Sequence, residues 1–348
     1  MFKRVLIAAA VAAAVSAPAF ADVSITGSAE MDLFYRTNNT ADGDGKLLEE
    51  VAIVINFNGS EKLDSGNTLK WKVAQKIATD YRFDSFGKRE AWIGYQGGWG
   101  ELRFGNQFTN SYLTMDWPYG VKGTGNLWAD FGAFENTWAD SISYFSPNFG
   151  GFSFTAQYKL GAQATGVGSG DGYDLTAGFG VAGFNFDLGY QYNNDRLVGT
   201  WAAGANDSVS GSKDAPGANS QLIHAGVRGS FGDFGFRAAY KNNAWENAAG
   251  QEADFDQYLA GVSFSGFTLS YQYKDRLKAA GVEYNNEIQQ VAFQWDTQLG
   301  KNTWAGVQVR HQMIDNPSQT ALPGWALDGW NGKDDNVTRA LVYTWTAF

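Results

Sequence analysis

The stretch VSITGSAEMDLFYR, residues 23–36, alternates apolar or small side chains with polar ones. Because a β-strand points successive side chains to opposite sides of its sheet, this alternation predicts a strand with one apolar and one polar face. Phe34 is the exception on the polar face. The apolar or small face carries Val23, Ile25, Gly27, Ala29, Met31, Leu33 and Tyr35, and the polar face carries Ser24, Thr26, Ser28, Glu30, Asp32 and Arg36.

The same alternation recurs along the whole chain. Seven of the connections between the alternating segments are short and eight are long and polar, which is typical of an outer-membrane barrel with short periplasmic turns and long external loops. We therefore predict an all-β fold, a transmembrane antiparallel β-barrel of sixteen strands with both termini at the periplasmic rim. The strands are expected at 23–35, 48–58, 67–77, 87–96, 100–106, 140–147, 151–159, 172–180, 183–192, 221–231, 234–241, 255–264, 267–274, 287–296, 303–313 and 336–348.

The composition fits this prediction and excludes some other classes. Aromatic residues make up 16% of the chain, with 43 glycines and 6 prolines, as expected for many strands joined by tight turns. A net charge of −10 argues against a nucleic-acid partner. A soluble β-sandwich would alternate too, but aromatic residues directly follow turn glycines, as in the girdle of a membrane barrel. Examples are Phe152, Phe184, Phe234 and Phe267.

The first residues, MFKRVLIAAAVAAAVSAPAFAD, have the features of a secretory signal peptide. Lys3 and Arg4 precede an apolar run that is too short to span a bilayer, and the small residues Ala19 and Ala21 flank a cleavage site. We predict a signal peptide at 1–21 and a single barrel domain at 22–348. Loss of the two basic residues changes the net charge to −12. The chain has no cysteine, so the exported domain is expected to fold without disulfides.

One long connection, at about 108–138, differs from the others. It carries the acids Asp116, Asp130 and Glu135 and six aromatic residues: Trp117, Tyr119, Trp128, Phe131, Phe134 and Trp138. Connections this long usually have a function, and so many aromatic residues suit a segment that packs on something. We expect this third external loop to fold into the lumen and narrow it.

Basic residues are expected on the opposite side of the lumen. Strand alternation places Lys70, Lys72, Lys76 and Arg103 on the lumen face. Acids on the loop and bases on the wall would form a constriction with a transverse electric field, which governs ion selectivity. The alternative is that these bases are merely hydrated lumen residues.

Four stretches resemble the trimeric Gram-negative porins, nearest the neisserial and betaproteobacterial type. They are ADVSITGSAE, FNGSEKLDSGNTLKWKVAQK, GKREAWIGYQGGWGELRFGN and SISYFSPNFGGFSFTAQY, within residues 21–158. The resemblance implies a sixteen-stranded barrel, a homotrimer in outer-membrane lipid and lipopolysaccharide, an inward third loop, and passive diffusion of ions and small hydrophilic solutes. It also implies that the terminal aromatic Phe348 is the membrane insertion signal.

The resemblance assigns constriction bases to Lys76 and Arg89. Lys76 agrees with alternation, whereas Arg89 shares a face with apolar residues of its segment and would need a bulge or a position above the lipid band. Three bases of the family pattern are absent, because Asn106, Trp138 and Ser143 stand in their places. With these losses and the negative net charge, we expect a weak preference for cations.

An enzyme, a substrate-specific channel and a calcium site are the alternatives that the sequence offers. An enzyme is disfavoured because the only histidines, His224 and His311, lie in no recognisable motif and cysteine is absent, so no catalytic residue is predicted. A channel specific for sugars or peptides would use the loop tryptophans as stacking surfaces. No cofactor is expected, although Asp42 and Asp44 on the first external loop are weak calcium candidates because the loop lacks a complete calcium motif.

The final run, RALVYTWTAF at 339–348, is apolar on both faces. If its outer face meets protein at a trimer contact, Thr344 and Thr346 point outward. Tyr343 and Trp345 then point into the barrel, against the inner loop.

Overall fold

Sixteen long strands form one antiparallel sheet that closes on itself. The computed structural model describes residues 21–37, 44–78, 86–123, 126–161, 170–198, 213–316 and 334–348. Each of the sixteen predicted segments is a strand, so the predicted all-β barrel is confirmed. Two additional strands of two residues each, β14 (Lys278–Ala279) and β15 (Val282–Glu283), form a small hairpin in the connection between β13 and β16. The sixteen long strands are β1 (Ala21–Arg36), β2 (Lys46–Lys62), β3 (Thr68–Ala78), β4 (Glu90–Gly97), β5 (Gly100–Phe108), β6 (Thr137–Phe145), β7 (Phe152–Lys159), β8 (Gly172–Val181), β9 (Phe184–Leu197), β10 (Lys213–Phe231), β11 (Phe234–Glu246), β12 (Glu252–Phe264), β13 (Phe267–Lys274), β16 (Ile288–Gly300), β17 (Thr303–Ile314) and β18 (Asn336–Ala347).

The first and last strands pair directly and close the sheet. β1 runs antiparallel to both β2 and β18, with Arg36 opposite Arg339. At the end of this ladder the Gly27 N–H donates to the Phe348 carbonyl at 2.8 Å, and the Phe348 N–H donates back to the Gly27 carbonyl at 3.0 Å. The aromatic C-terminus therefore lies in the closing seam. Closure leaves no open strand edge, which lipid would not tolerate.

Several of the short turns have the backbone that tight hairpins require. Ala182 and Gly183 connect β8 to β9 with φ values of 50° and 84°. Ser265 and Gly266 connect β12 to β13 with φ values of 49° and 82°. Two successive positive φ angles are typical of the type I′ turn, whose twist matches that of the flanking strands.

The strand ends depart from the prediction mainly at the rim that carries the long connections. β10 begins at Lys213, eight residues before the expected start, and its pairing with β9 shifts register between Asp214 and Asn219. The added residues are largely polar and small and contain a register shift. Alternation could not reveal them, because a barrel strand that continues beyond the lipid has no apolar face to mark it.

The two faces of the sheet differ in chemistry. On β12 and β13 the outward Phe264, Phe267 and Tyr271 are exposed, whereas the inward Gln257 and Gln272 are buried inside the barrel. Rings of neighbouring strands stack near the short turns, as Phe267 does with Phe293 at a centroid distance of 5.8 Å. Among the described residues, no helix has the length and hydropathy needed to cross a membrane.

The connection between β5 and β6 folds into the barrel. It contains one helix, α1 (Asn110–Tyr119), which the sequence did not predict. Its residues show no apolar stripe at helical spacing, and Pro118 lies in its last turn, so the usual signals are missing. The main buried apolar cluster joins loop residues to wall residues and includes Leu127, Phe131, Ala133, Trp245, Phe255 and Ile288.

Candidate functional site

The inward loop, residues 108–138, lies along the wall formed by β8–β13, β16–β18 and β1. Irregular backbone in a barrel interior needs hydrogen-bond partners, and inward amide side chains of the wall supply them. The loop N–H groups of Leu127, Trp128, Ala133 and Glu135 donate to the side-chain oxygens of Gln290, Gln272, Asn243 and Gln191 at 3.3, 2.7, 2.9 and 2.6 Å. The loop is therefore fixed to the wall.

A buried lysine of β11 adds a further anchor. The Lys241 Nζ donates to the carbonyl of Phe131 at 2.6 Å and to the carbonyl of Trp128, and lies 4.9 Å from the Trp128 ring centroid. The sequence reasoning missed this residue, although alternation along β11 would have placed it on the lumen face.

The middle of the loop, just after α1, contacts β1 and β18, the two strands that close the barrel. The Lys122 Nζ forms an ion pair with Glu30 of β1 at 2.8 Å and lies 4.8 Å from the Tyr343 ring centroid. Tyr343 is thus buried inside the barrel against the inner loop, as predicted. Its neighbour Trp345 is half-buried and packs on Trp304 with a centroid distance of 5.0 Å.

Asp116 is the loop acid that the structure brings near the predicted bases. Burial raises the pKa of Asp116 above its usual range, while a hydrogen bond from Tyr112 and the charges of Arg89 and Lys76 oppose that rise. Arg89 precedes the first residue of β4, so strand alternation does not apply to it. Its guanidinium lies 4.9 Å from the Phe108 ring centroid, at the start of the loop.

The other two predicted loop acids are engaged within the loop and its anchors. Glu135 is only 8% exposed, and its carboxylate pairs with Lys159 and Arg196 of the wall, at 2.7 Å each. Asp130 is half-buried, accepts the Asn126 N–H at 2.8 Å, and contributes its charge near Tyr112. Glu135 therefore lies at an anchor between loop and wall, away from the predicted bases.

The remaining predicted bases lie on the opposite wall, but each has an acidic neighbour there. Lys70 pairs with Glu101 at 3.2 Å, and Arg103 pairs with the same carboxylate at 2.5 Å. The sequence did not lead us to predict these wall glutamates, although Glu101 is two residues from Arg103 and so shares its face. Two further pairs complete this wall, Lys72 with Glu90 and Lys76 with Glu50, the latter at 3.6 Å.

Most loop aromatic residues are packing groups. Trp128, Phe131, Phe134 and Trp138 are all buried between loop and wall. The exception is Trp117, which is 76% exposed on the free face of α1.

The structure adds no support to the weak calcium candidates Asp42 and Asp44. Asp42 lies outside the described residues, and Asp44 is exposed. Within the described ranges, no group of three metal-ligating side chains comes together.

His224 is buried in the wall, and the His311 Nδ1 lies 2.8 Å from the Thr338 hydroxyl. The predicted signal peptide also lies outside the description except for Ala21, the first residue of β1.

Comparisons with known proteins agree with this architecture. The chain is 27% identical to the major outer membrane protein P.IB of Neisseria sicca over 98% of each chain. It is 30% identical to a chitoporin of Vibrio furnissii over 45% of this chain, a match that spans about half (48%) of that protein. The fold matches an anion-selective porin from Comamonas acidovorans with a TM-score of 0.73 at 17% identity, covering 94% of this chain and all of that one.

A trimeric form of OmpT of Vibrio cholerae matches with a TM-score of 0.68 at 14% identity, over 94% of this chain and 99% of that one. A family model described as Gram-negative porin matches residues 8–317, which is most of the chain. This chain, with its closed sixteen-stranded barrel and inward third loop, thus belongs to the Gram-negative porin family, the passive diffusion channels of the outer membrane.

Proposed function

We propose that ions and small hydrophilic solutes pass between α1 and the wall of β2–β5, with a weak preference for cations. The observation that carries the proposal is the pairing of Lys70, Lys72, Lys76 and Arg103 with glutamates of the same wall. Paired bases present little net positive field to a passing ion. The negative net charge of −10 then favours cations modestly.

The test is the reversal potential of single channels in a planar bilayer under a KCl gradient. A small potassium preference is expected, and Lys76→Glu should increase it because Lys76 faces Asp116. Lys278→Glu, in the exposed β14–β15 hairpin, is the matched control for the same charge change. A chloride preference in the unmodified channel, or an equal response to both variants, would refute the proposal.

We also propose that the channel works as a homotrimer in outer-membrane lipid and lipopolysaccharide, with both termini periplasmic. The even number of barrel strands and the trimeric form of the Vibrio cholerae OmpT neighbour support this. Chemical cross-linking should give a trimer, and conductance should rise in groups of three steps. A protein that remains monomeric after cross-linking and conducts in isolated single steps would contradict the proposal.

A channel specific for a sugar or peptide is the second candidate, and the exposure of Trp117 favours it. An exposed indole on α1 offers an apolar face on which a sugar ring can stack. Saturable block of the current by a neutral oligosaccharide, lost in Trp117→Ala, would support specificity. No catalytic role is proposed, because His224 and His311 lie apart on β10 and β17.

A further inference from the structure

A cavity of about 250 Å³ opens in the inner wall beside the C-terminal end of α1. Pro118 of the loop forms one side, and strands β9–β13 form the rest. The polar side chains in its lining are Asn185, Arg228, Arg237, Ser263 and Thr268. None of its lining residues is acidic, so its side chains carry two positive charges and no negative one.

The two arginines are direct neighbours. Arg228 of β10 lies opposite Arg237 of β11 in the strand register, and like charges in directly opposed positions destabilise a sheet. The Arg228 Nε donates to Asp187 at 3.1 Å, and Asp187 also accepts the Tyr119 hydroxyl at 2.7 Å. This carboxylate therefore neutralises Arg228 in part and is itself tied to the loop.

Arg237 has no such partner. Within the part of the chain that the structure describes, no carboxylate lies within ion-pair distance of it. Its side chain extends across Gly261 of β12, where a Cβ would lie 2.8 Å from the Arg237 Nε and 3.1 Å from its Cγ. Glycine at this position therefore makes room for the guanidinium against the wall.

Neutral donors complete the lining. Ser263 of β12 lies opposite Thr268 of β13, and both hydroxyls point to the same side of the wall as Arg237. A guanidinium binds carboxylate and phosphate oxygens through paired N–H groups, and hydroxyls add single hydrogen bonds. These donors together match the needs of an oxyanion.

We propose that this cavity is an oxyanion subsite, which holds the carboxylate or phosphate group of a small solute beside the constriction. The inference assumes an open channel but does not depend on its overall ion preference. Ion selectivity depends on all charges along the channel, whereas binding of an oxyanion depends on the side chains of this one cavity.

The test measures potassium chloride current through single channels while inorganic phosphate replaces chloride at constant potassium concentration. In the unmodified channel we expect saturable inhibition by phosphate. Arg237→Gln should raise the half-inhibiting concentration at least fivefold, and Arg237→Lys should fall between, since it keeps the charge but loses the paired donors. Lys301→Gln removes one exposed charge from the β16–β17 turn and should change nothing.

The same variants are then titrated calorimetrically with phosphate and with succinate in detergent, which tests binding even if conduction fails. Succinate binding without phosphate binding would assign the subsite to carboxylates, and the reverse would assign it to phosphates. Equal affinity of the unmodified protein and Arg237→Gln for phosphate and for succinate alike, or a non-saturating effect of both anions, would overturn the proposal. A silent bilayer with normal calorimetric binding would instead refute the channel function alone.

Discussion

Asp116 owes its position to a short helix and its electrostatics to two bases on the other side of the lumen. Its charge lies near Arg89 and Lys76, while the carboxylates of Glu90 and Glu101 are held by wall bases. A single loop charge can therefore affect passing ions although the wall is nearly compensated.

Removal of that charge should weaken the preference for cations. A unit charge about 4 Å from an ion in water is worth about 1 kcal/mol, attractive for potassium and repulsive for chloride, so Asp116→Asn should lower the potassium-to-chloride permeability ratio by no more than roughly 30-fold. The reversal potential under a KCl gradient measures this. Asp44→Asn, at an exposed site in the connection between β1 and β2, is the control and should leave the ratio unchanged. An unchanged ratio in Asp116→Asn would show that ions do not pass this carboxylate.

The same residue predicts a pH dependence. Burial raises the pKa of Asp116, so on acidification it is protonated before exposed carboxylates are. As pH falls through this raised pKa the loop loses one negative charge, and the preference for potassium should fall. A reversal-potential titration should show this step in the unmodified channel and lack it in Asp116→Asn. The same step in both proteins would assign it to another group.

The sequence predicted these residues unevenly, and the reason is geometric. Alternation placed Lys70, Lys72 and Lys76 on the lumen face because they lie within a regular strand. It could not place Arg89, which precedes its strand, and the resemblance to porins was needed. Glu101 was within reach of the same alternation, but its pairing with both Lys70 and Arg103 depends on which strands are neighbours.

At the scale of the elements, the inward loop is held by the wall rather than by its own structure. Its length and aromatic residues predicted that it packs inside the lumen. Helix α1 and the individual anchors could not be predicted, because each anchor joins loop residues to strands more than fifty residues away. Inward glutamines and asparagines on successive strands were the available signal.

Lys241 offers the clearest test of this anchoring. In Lys241→Met two buried loop carbonyls lose their donor, and each unsatisfied group costs about 1–3 kcal/mol. If about 2 kcal/mol of this cost appears as local opening, the open population rises roughly 30-fold. Hydrogen exchange at the amides of Trp128 and Ala133 should accelerate accordingly. Lys278→Met changes an exposed lysine in the same way and should leave these amides protected, and equal protection in both variants would contradict the anchoring role.

At the scale of the whole molecule, the barrel depends on one seam between strands that are farthest apart in the sequence. Alternation predicted sixteen strands, and their even number predicted that both termini lie at the same rim. The exact register, with Gly27 opposite Phe348, needed the structure. The terminal phenylalanine has a direct structural role there, because its ring lies over a position that has no side chain.

A methyl group at Gly27 should therefore impair closure. A Cβ at this position would collide with the Val54 carbonyl oxygen and lie 2.7 Å from the Phe348 ring, so either β2 or the terminal ring must move. Overpacking of this kind costs about 1–3 kcal/mol. Gly27→Ala should lower the denaturant midpoint and the fraction of compact barrel seen on gels of unheated protein. Gly98→Ala, in a turn where a Cβ meets no atom within 4 Å, is the matched control. If Gly27→Ala folds and resists denaturant as well as Gly98→Ala does, the close contact at the seam does not limit barrel closure.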